Sequence, residues 1–126
     1  MGFGNKVREF HEAFGIPVRD APGRPGLFEE ALREALLEEE YAETVKAAQA
    51  GDLVELADGL ADLVYIAYGT ALAYGFDLDA VLAEVHRSNM TKLGEDGRPV
   101  YRADGKVLKG PGFEAPQIAR VIGLEA

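Results

Sequence analysis

Cysteine is absent from all 126 residues. That excludes a disulfide framework, a thiolate nucleophile and a Cys-ligated zinc site. No uninterrupted apolar run reaches the roughly 18 residues that a membrane span needs. The opening MGFGNKVREF lacks the apolar core of a signal peptide. A cytoplasmic address with no membrane partner is therefore the expectation. Internal repeats, low-complexity tracts and a glycine-rich loop of the P-loop type are missing too. Positive charge is scarce over most of the chain. Residues 1–86 carry 6 Lys/Arg against 17 Asp/Glu, a balance of -11, whereas residues 87–109 carry 6 against 3, or +3. A body this acidic argues against nonspecific nucleic-acid binding, which depends on neutralising phosphates. It suits a small phosphorylated ligand, held between metal on the acidic side and Lys/Arg from the later segment.

What is present is helical. At this length, with 48% hydrophobic residues, one domain over 1–126 is expected, with a helical core of about 3–93 and a hairpin and tail over 94–126. Residues 5–14 place Val7, Phe10 and Phe14 at helical spacing, with Gly15 as the stop. His11 on that helix is read as exposed or half-buried. Residues 16–26 hold three prolines and two glycines and form a loop, in which Arg19 and Arg24 are available for an anion. A long Ala-, Leu- and Glu-rich helix runs from Leu27 to about Ala50, and Gly51 ends it. Asp52 caps the next helix, which continues through LVYIAYGTALAYG to about Tyr74 and in which Gly69 permits a close helix approach. Asp77 starts a further helix ending in HRSNMTK. Val100–Arg102 and Lys106–Leu108 flank Asp104-Gly105 as a small hairpin, and a short helix begins near Pro116.

The acidic residues are not scattered. Glu39, Glu40 and Glu43 stand at i, i+1 and i+4 and share one helix face; Glu55, Asp58 and Asp62 stand at i, i+3 and i+7 and form one stripe. If the chain reverses at Gly51, residues whose numbers sum to about 102 lie side by side. Glu40 then faces Asp62, and Glu43 faces the turn carrying Asp58 and Gly59. Carboxylates converging between two antiparallel helices repel one another unless a cation sits among them. A hard divalent cation with oxygen ligands, Mg²⁺ above all, fits. Glu55 has a second reading, because Asp52-x-x-Glu55 is close to a capping box. Asp58 and Asp62 have no capping role, and aspartate is a poor residue inside a helix.

These residues resemble the MazG-like all-α nucleoside triphosphate pyrophosphohydrolases, a superfamily that includes dimeric dUTPases and phosphoribosyl-ATP pyrophosphohydrolases. Glu39-Glu40-Tyr41-Ala42-Glu43 matches the E-E-x-x-E helix, and Glu55-Leu56-Ala57-Asp58 matches the E-x-x-D helix. The likeness extends through LADLVYIAYGTALAYGFDLDAVLAEVHRSNMTKL and DGKVLKGPGF, covering roughly 27–115. In many members the motif aspartate directly precedes the apolar run. Here that residue is Asp62, and Gly59 stands where its glutamate partner belongs. The resemblance implies an all-α antiparallel bundle with a small C-terminal β-hairpin, assembled as a homodimer or larger. It implies hydrolysis of a nucleotide to the monophosphate and pyrophosphate with Mg²⁺ or Mn²⁺. Metal would be held among Glu39, Glu40, Glu43, Asp58, Asp62 and Glu55, with Glu40 as the base. Asn89, Lys92 and Lys109 would bind the substrate. The competing readings are a phosphoribosyl-ATP pyrophosphohydrolase and a non-catalytic metal- or partner-binding helical module.

Overall fold

A computed structural model describes residues 2–124. The described residues are mostly helical, with four main helices and one two-stranded antiparallel hairpin. It divides into two compact units, one ending at Leu78 and the other starting at Asp79.

The first unit contains α1 (Gly4–Ala13), α2 (Leu27–Ala50) and α3 (Leu53–Tyr74). The break between α2 and α3 falls at Gly51 and Asp52, as the sequence predicts. Asp52 caps α3, its side chain accepting the amide of Glu55 at 3.1 Å. Val7, Tyr68 and Leu72 form the core, with Val18, Tyr65 and Leu78 packed against it. The loop between α1 and α2 answers a need of α3, whose last carbonyls are left short of helical partners, Leu72 O having only the Gly75 amide at 3.3 Å. Arg19 N–H donates to Leu72 O at 2.9 Å, Arg19 Nη1 to Ala73 O at 2.9 Å, and Gly23 N–H to Tyr74 O at 2.9 Å. Arg19 also pairs with Glu29 and Arg24 with Glu30, so neither is spare for an external anion.

The core face of α1 differs from the reading of the apolar spacing. Val7 and His11 are the buried positions, while Phe14 is 70% exposed and Phe10 lies near the surface. His11, read as exposed or half-buried, is in fact buried. Its Nδ1 bonds the Pro17 carbonyl at 3.2 Å, while Nε2 and the Arg33 guanidinium both crowd the α-carbon of Gly69. Gly69 thus does permit close approach, but of two polar side chains as well as a helix. Arg33 is buried and bonds across the helix pair to Thr70 Oγ1 at 3.2 Å and to Ile66 O at 3.0 Å.

Burial, and secondarily the Arg33 charge, lower the His11 pKa; the Pro17 carbonyl and Glu29 oppose them. Neutral imidazole is therefore the form the fold prefers. Because the folded pKa lies below the unfolded value near 6.5, the stabilising contribution is full above about pH 6.5 and is lost as pH falls toward the folded pKa. The expected result is a melting temperature that drops between pH 7.5 and 5.5 more steeply in the wild type than in His11→Gln. The difference in slope between the two is bounded by about 1.4 kcal/mol per pH unit for one proton.

By length and composition α3 is apolar enough to cross a bilayer. Uninterrupted runs do not reveal this, because Glu55, Asp58 and Asp62 break them. One side of it packs against Arg33 and Thr44 of α2, but only 33% of its apolar window is buried, and Leu53, Val54, Leu60 and Val64 are exposed.

The second unit contains most of α4 (Leu78–Met90), the hairpin of β1 (Val100–Tyr101) and β2 (Val107–Leu108), and α5 (Ile118–Val121). Val100 pairs with Leu108 and Tyr101 with Val107, around the turn at Asp104-Gly105. The tail is fastened along α4. Ser88 Oγ, buried, donates to Glu114 O at 2.8 Å. Glu84 Oε2 accepts the Gln117 amide at 2.8 Å, and Arg87 joins Glu84 to Glu114. The bonds from Arg87 and from the Gln117 amide hold the Glu84 carboxyl down at a pKa of about 2.

Candidate active site

The seam between α2 and α3 is fixed at two levels. At one level Arg33 of α2 meets Ile66, Gly69 and Thr70 of α3; at the other, Thr44 of α2 meets Gly59 of α3. The pairs 33/69 and 44/59 keep the residue-number sum expected from a reversal at Gly51 to within one. On α2, positions 33, 40 and 44 follow one another along a single stripe, as do 59, 62, 66 and 69 on α3. Glu40 and Asp62 thus fall on the seam itself, between the two fixed levels.

Glu40 is half-buried, and its Oε2 is sealed from solvent with no hydrogen-bond partner among the described residues. Such an oxygen is costly to leave unsatisfied, and more so when ionised. Burial raises the Glu40 pKa first, and the charges of Asp62, Glu43, Glu39 and Asp58 raise it further, in that order. Every one of those charges is a carboxylate. Four acids from two helices therefore act on one buried oxygen. Glu39, Glu43 and Asp58 are exposed and Asp62 is half-buried. Glu55 stands apart. It is exposed, its amide is held by Asp52, and it is not among the charges acting on Glu40.

Among the described residues, no three carboxylate or imidazole groups stand together as a ready-made cage. Exposed like charges separate in water, so open carboxylates at the rim of the seam are what electrostatics dictates. The donor chemistry still suits a hard cation, because the partnerless Glu40 Oε2 and the four charges that act on it are all carboxylates.

The residues expected to bind substrate lie in the second unit. Asn89 is on α4, Lys92 just beyond it, and Lys109 past β2. The Gly110 amide donates to Lys92 O at 2.8 Å, which brings the backbones near Lys92 and Lys109 together. The Lys109 ammonium lies 4.7 Å from the centre of the Phe113 ring.

Two features of the seam escape sequence reading. Arg33 is an interhelical tie that the glutamate-rich helix conceals among its charges. Gly59 is a contact point, and only coordinates reveal that Thr44 faces it.

The model of the family "Phosphoribosyl-ATP pyrophosphohydrolase" matches residues 7–89. The chain belongs to this family. It is accordingly one of the MazG-like all-α pyrophosphohydrolases, and the match spans α2, α3 and both acidic stripes. Family membership supports a pyrophosphohydrolase activity. The chain is also 28% identical over 116 residues to an "uncharacterized protein" of Acanthamoeba polyphaga mimivirus. That alignment covers 88% of this chain and 43% of the viral protein, so the chain spans less than half of that relative. Among solved structures it is similar to a "putative NTP pyrophosphohydrolase" from Exiguobacterium sp. 255-15. There the identity is 25% and the TM-score 0.48, over 94% of this chain and 90% of the other.

Proposed function

We propose that this family member hydrolyses a nucleoside triphosphate, or its deoxy form, to the monophosphate and pyrophosphate in a Mg²⁺-dependent reaction. House-cleaning of the nucleotide pool is the role this reaction suits. The observation that carries the reading is the sealed, partnerless Glu40 Oε2 amid four further carboxylates. Glu39, Glu43, Asp58 and Asp62 would hold the metal, with Glu40 beside it and Glu55 at the edge of the set. When bound, Mg²⁺ (or Mn²⁺) supplies charge neutralisation at the phosphate oxygens. Glu40 is the candidate base. Burial and neighbouring acids raise its proton affinity above that of an ordinary carboxylate, which makes it a better acceptor for a proton from water. The water oxygen joins one phosphorus, the bridging oxygen leaves with the other, and the proton passes to Glu40. Asn89, Lys92 and Lys109 are assigned to the nucleotide and its phosphates as donors and cations. A cytoplasmic address, where nucleotides are abundant, goes with this role.

The test is pyrophosphate release over canonical and damaged nucleotides with Mg²⁺ or Mn²⁺, repeated with EDTA. Release that depends on the divalent ion is expected. No release from any triphosphate, with the protein folded and metal present, would overturn the reading. A second reading, with phosphoribosyl-ATP as substrate, is favoured by the name of the matching family. The match ends at residue 89, before the hairpin and the lysine at 109, so it does not extend to the tail features. Product analysis with phosphoribosyl-ATP beside the triphosphates separates the two.

We also propose self-association. Leu53, Leu60 and Val64 form one stripe of α3 and are 75%, 50% and 53% exposed. Covering such a stripe with a second copy follows from the hydrophobic effect. Sedimentation at micromolar concentration is expected to show a dimer or larger species, and Leu60→Asp to shift it to monomer. A wild type that sediments only as monomer would refute the proposal.

A further inference from the structure

Gly59 stands where the motif of many relatives carries a glutamate, and the structure supplies a reason that concerns spacing. A β-carbon built on Gly59 would lie 2.6 Å from Thr44 Oγ1, 3.2 Å from Thr44 Cα and 3.3 Å from Thr44 Cβ. No side chain fits there unless α2 and α3 part or Thr44 moves. Thr44 is not free to move cheaply. It is buried, and its Oγ1 donates at 2.7 Å to the backbone carbonyl of Glu40, one turn back on the same helix. The pressure of a methyl group at position 59 therefore passes through Thr44 to the turn that carries Glu40. Gly59 follows Asp58 directly in sequence and shares its α3 stripe with Asp62, and these are the two acids of α3 whose charges reach Glu40. We infer that Gly59 is a positioning residue: its bare α-carbon against Thr44 sets the distance at which the acids of α2 and α3 face one another. The inference rests on the proposed metal-dependent function. A glutamate at 59 in this chain could not enter the seam as a ligand, so Asp58 and Asp62 are left to serve α3's side of the site.

The experiment is a double-mutant cycle read by Mn²⁺ binding, with free Mn²⁺ measured by electron paramagnetic resonance on the folded full-length chain. Gly59→Ala is expected to weaken Mn²⁺ binding by about 10- to 100-fold, the range for disturbing residues that orient metal ligands. In the Thr44→Ala background, where the nearest atom is gone, the same change is expected to cost less than about a third of that factor. A role in general stability alone would lower the melting temperature without this background dependence of affinity. If Gly59→Ala binds Mn²⁺ as the wild type does, or loses the same factor in both backgrounds, the spacing role is wrong. If Gly59→Ala alone fails to fold, the double variant is compared with Thr44→Ala. A folded double variant with nearly matching affinity supports the inference, and one that has lost binding or does not fold overturns it. A wild type that binds no Mn²⁺ fails earlier, at the proposed function, and is distinguished by that first titration.

Discussion

Glu40→Gln is expected to lower kcat by about 10²- to 10⁴-fold, the usual contribution of a positioned general base, while the protein still binds Mn²⁺. The amide preserves the shape of the side chain and an oxygen but cannot take a proton from water. Within the seam Glu40 has a sealed, partnerless oxygen, and burial beside the other acids raises its pKa. On the proposed reading the other four share a cation, so removing one of them should weaken metal binding. That contrast makes the experiment decisive. Glu40→Gln should leave KM for the nucleotide near its wild-type value and take its effect in kcat. Asp62→Asn should raise the metal concentration needed for half-maximal rate. Full turnover in Glu40→Gln with normal metal binding would move the base to another acid. A metal-free Glu40→Gln protein that melts above the wild type would fit as well, since one repelling charge has left the cluster.

The seam itself was legible in the residues because it follows from three simple regularities. Gly51 cannot continue a helix cheaply, 3.6-residue periodicity places acids on faces, and antiparallel pairing matches numbers about a constant sum. Together these bring Glu40 opposite Asp62 before any coordinates are known, and the contacts 44/59 and 33/69 keep that pairing. What was not legible depends on side chains that reach across elements. His11 and Arg33 are polar, and periodicity assigns polar residues to the surface; both are buried because each finds acceptors on another segment, Pro17 O for one and Thr70 and Ile66 for the other. Phe14 misled in the opposite direction, being apolar and exposed at the end of its helix. Arg19 looked like a loop cation for an anion, yet its targets are Glu29 and a helix-end carbonyl over fifty residues away in sequence. From the motif Gly59 reads as a lost glutamate, whereas in the fold Thr44 stands against it. Local pattern thus fixes helices and their register, whereas polar ties between elements need the third dimension.

Gly75→Ala is expected to destabilise the protein by about 2–5 kcal/mol, combining a left-handed backbone penalty of about 1–2 kcal/mol with overpacking of about 1–3 kcal/mol. Gly75 has φ +85°, and a β-carbon there would land on the Ala21 carbonyl oxygen, with the carbonyl carbon 2.6 Å away. Backbone atoms cannot swing aside as a side chain can. Relief requires the loop from Arg19 to Gly23 to lift from the end of α3, and that same loop satisfies the carbonyls of Leu72, Ala73 and Tyr74. Strain at one atom therefore puts three hydrogen bonds at risk. Gly51→Ala is the control. Gly51 shares the left-handed conformation at φ +69°, but a β-carbon there meets nothing within 4 Å. Its substitution should cost only the backbone part, about 1–2 kcal/mol. Urea denaturation measures both, with a lower midpoint and an unchanged slope expected in each variant. Equal costs at the two glycines would mean that the loop yields freely to α3. A larger cost at Gly75 would establish that the loop is held against the helix end, and through Arg19 and Leu72 to the core that supports the seam.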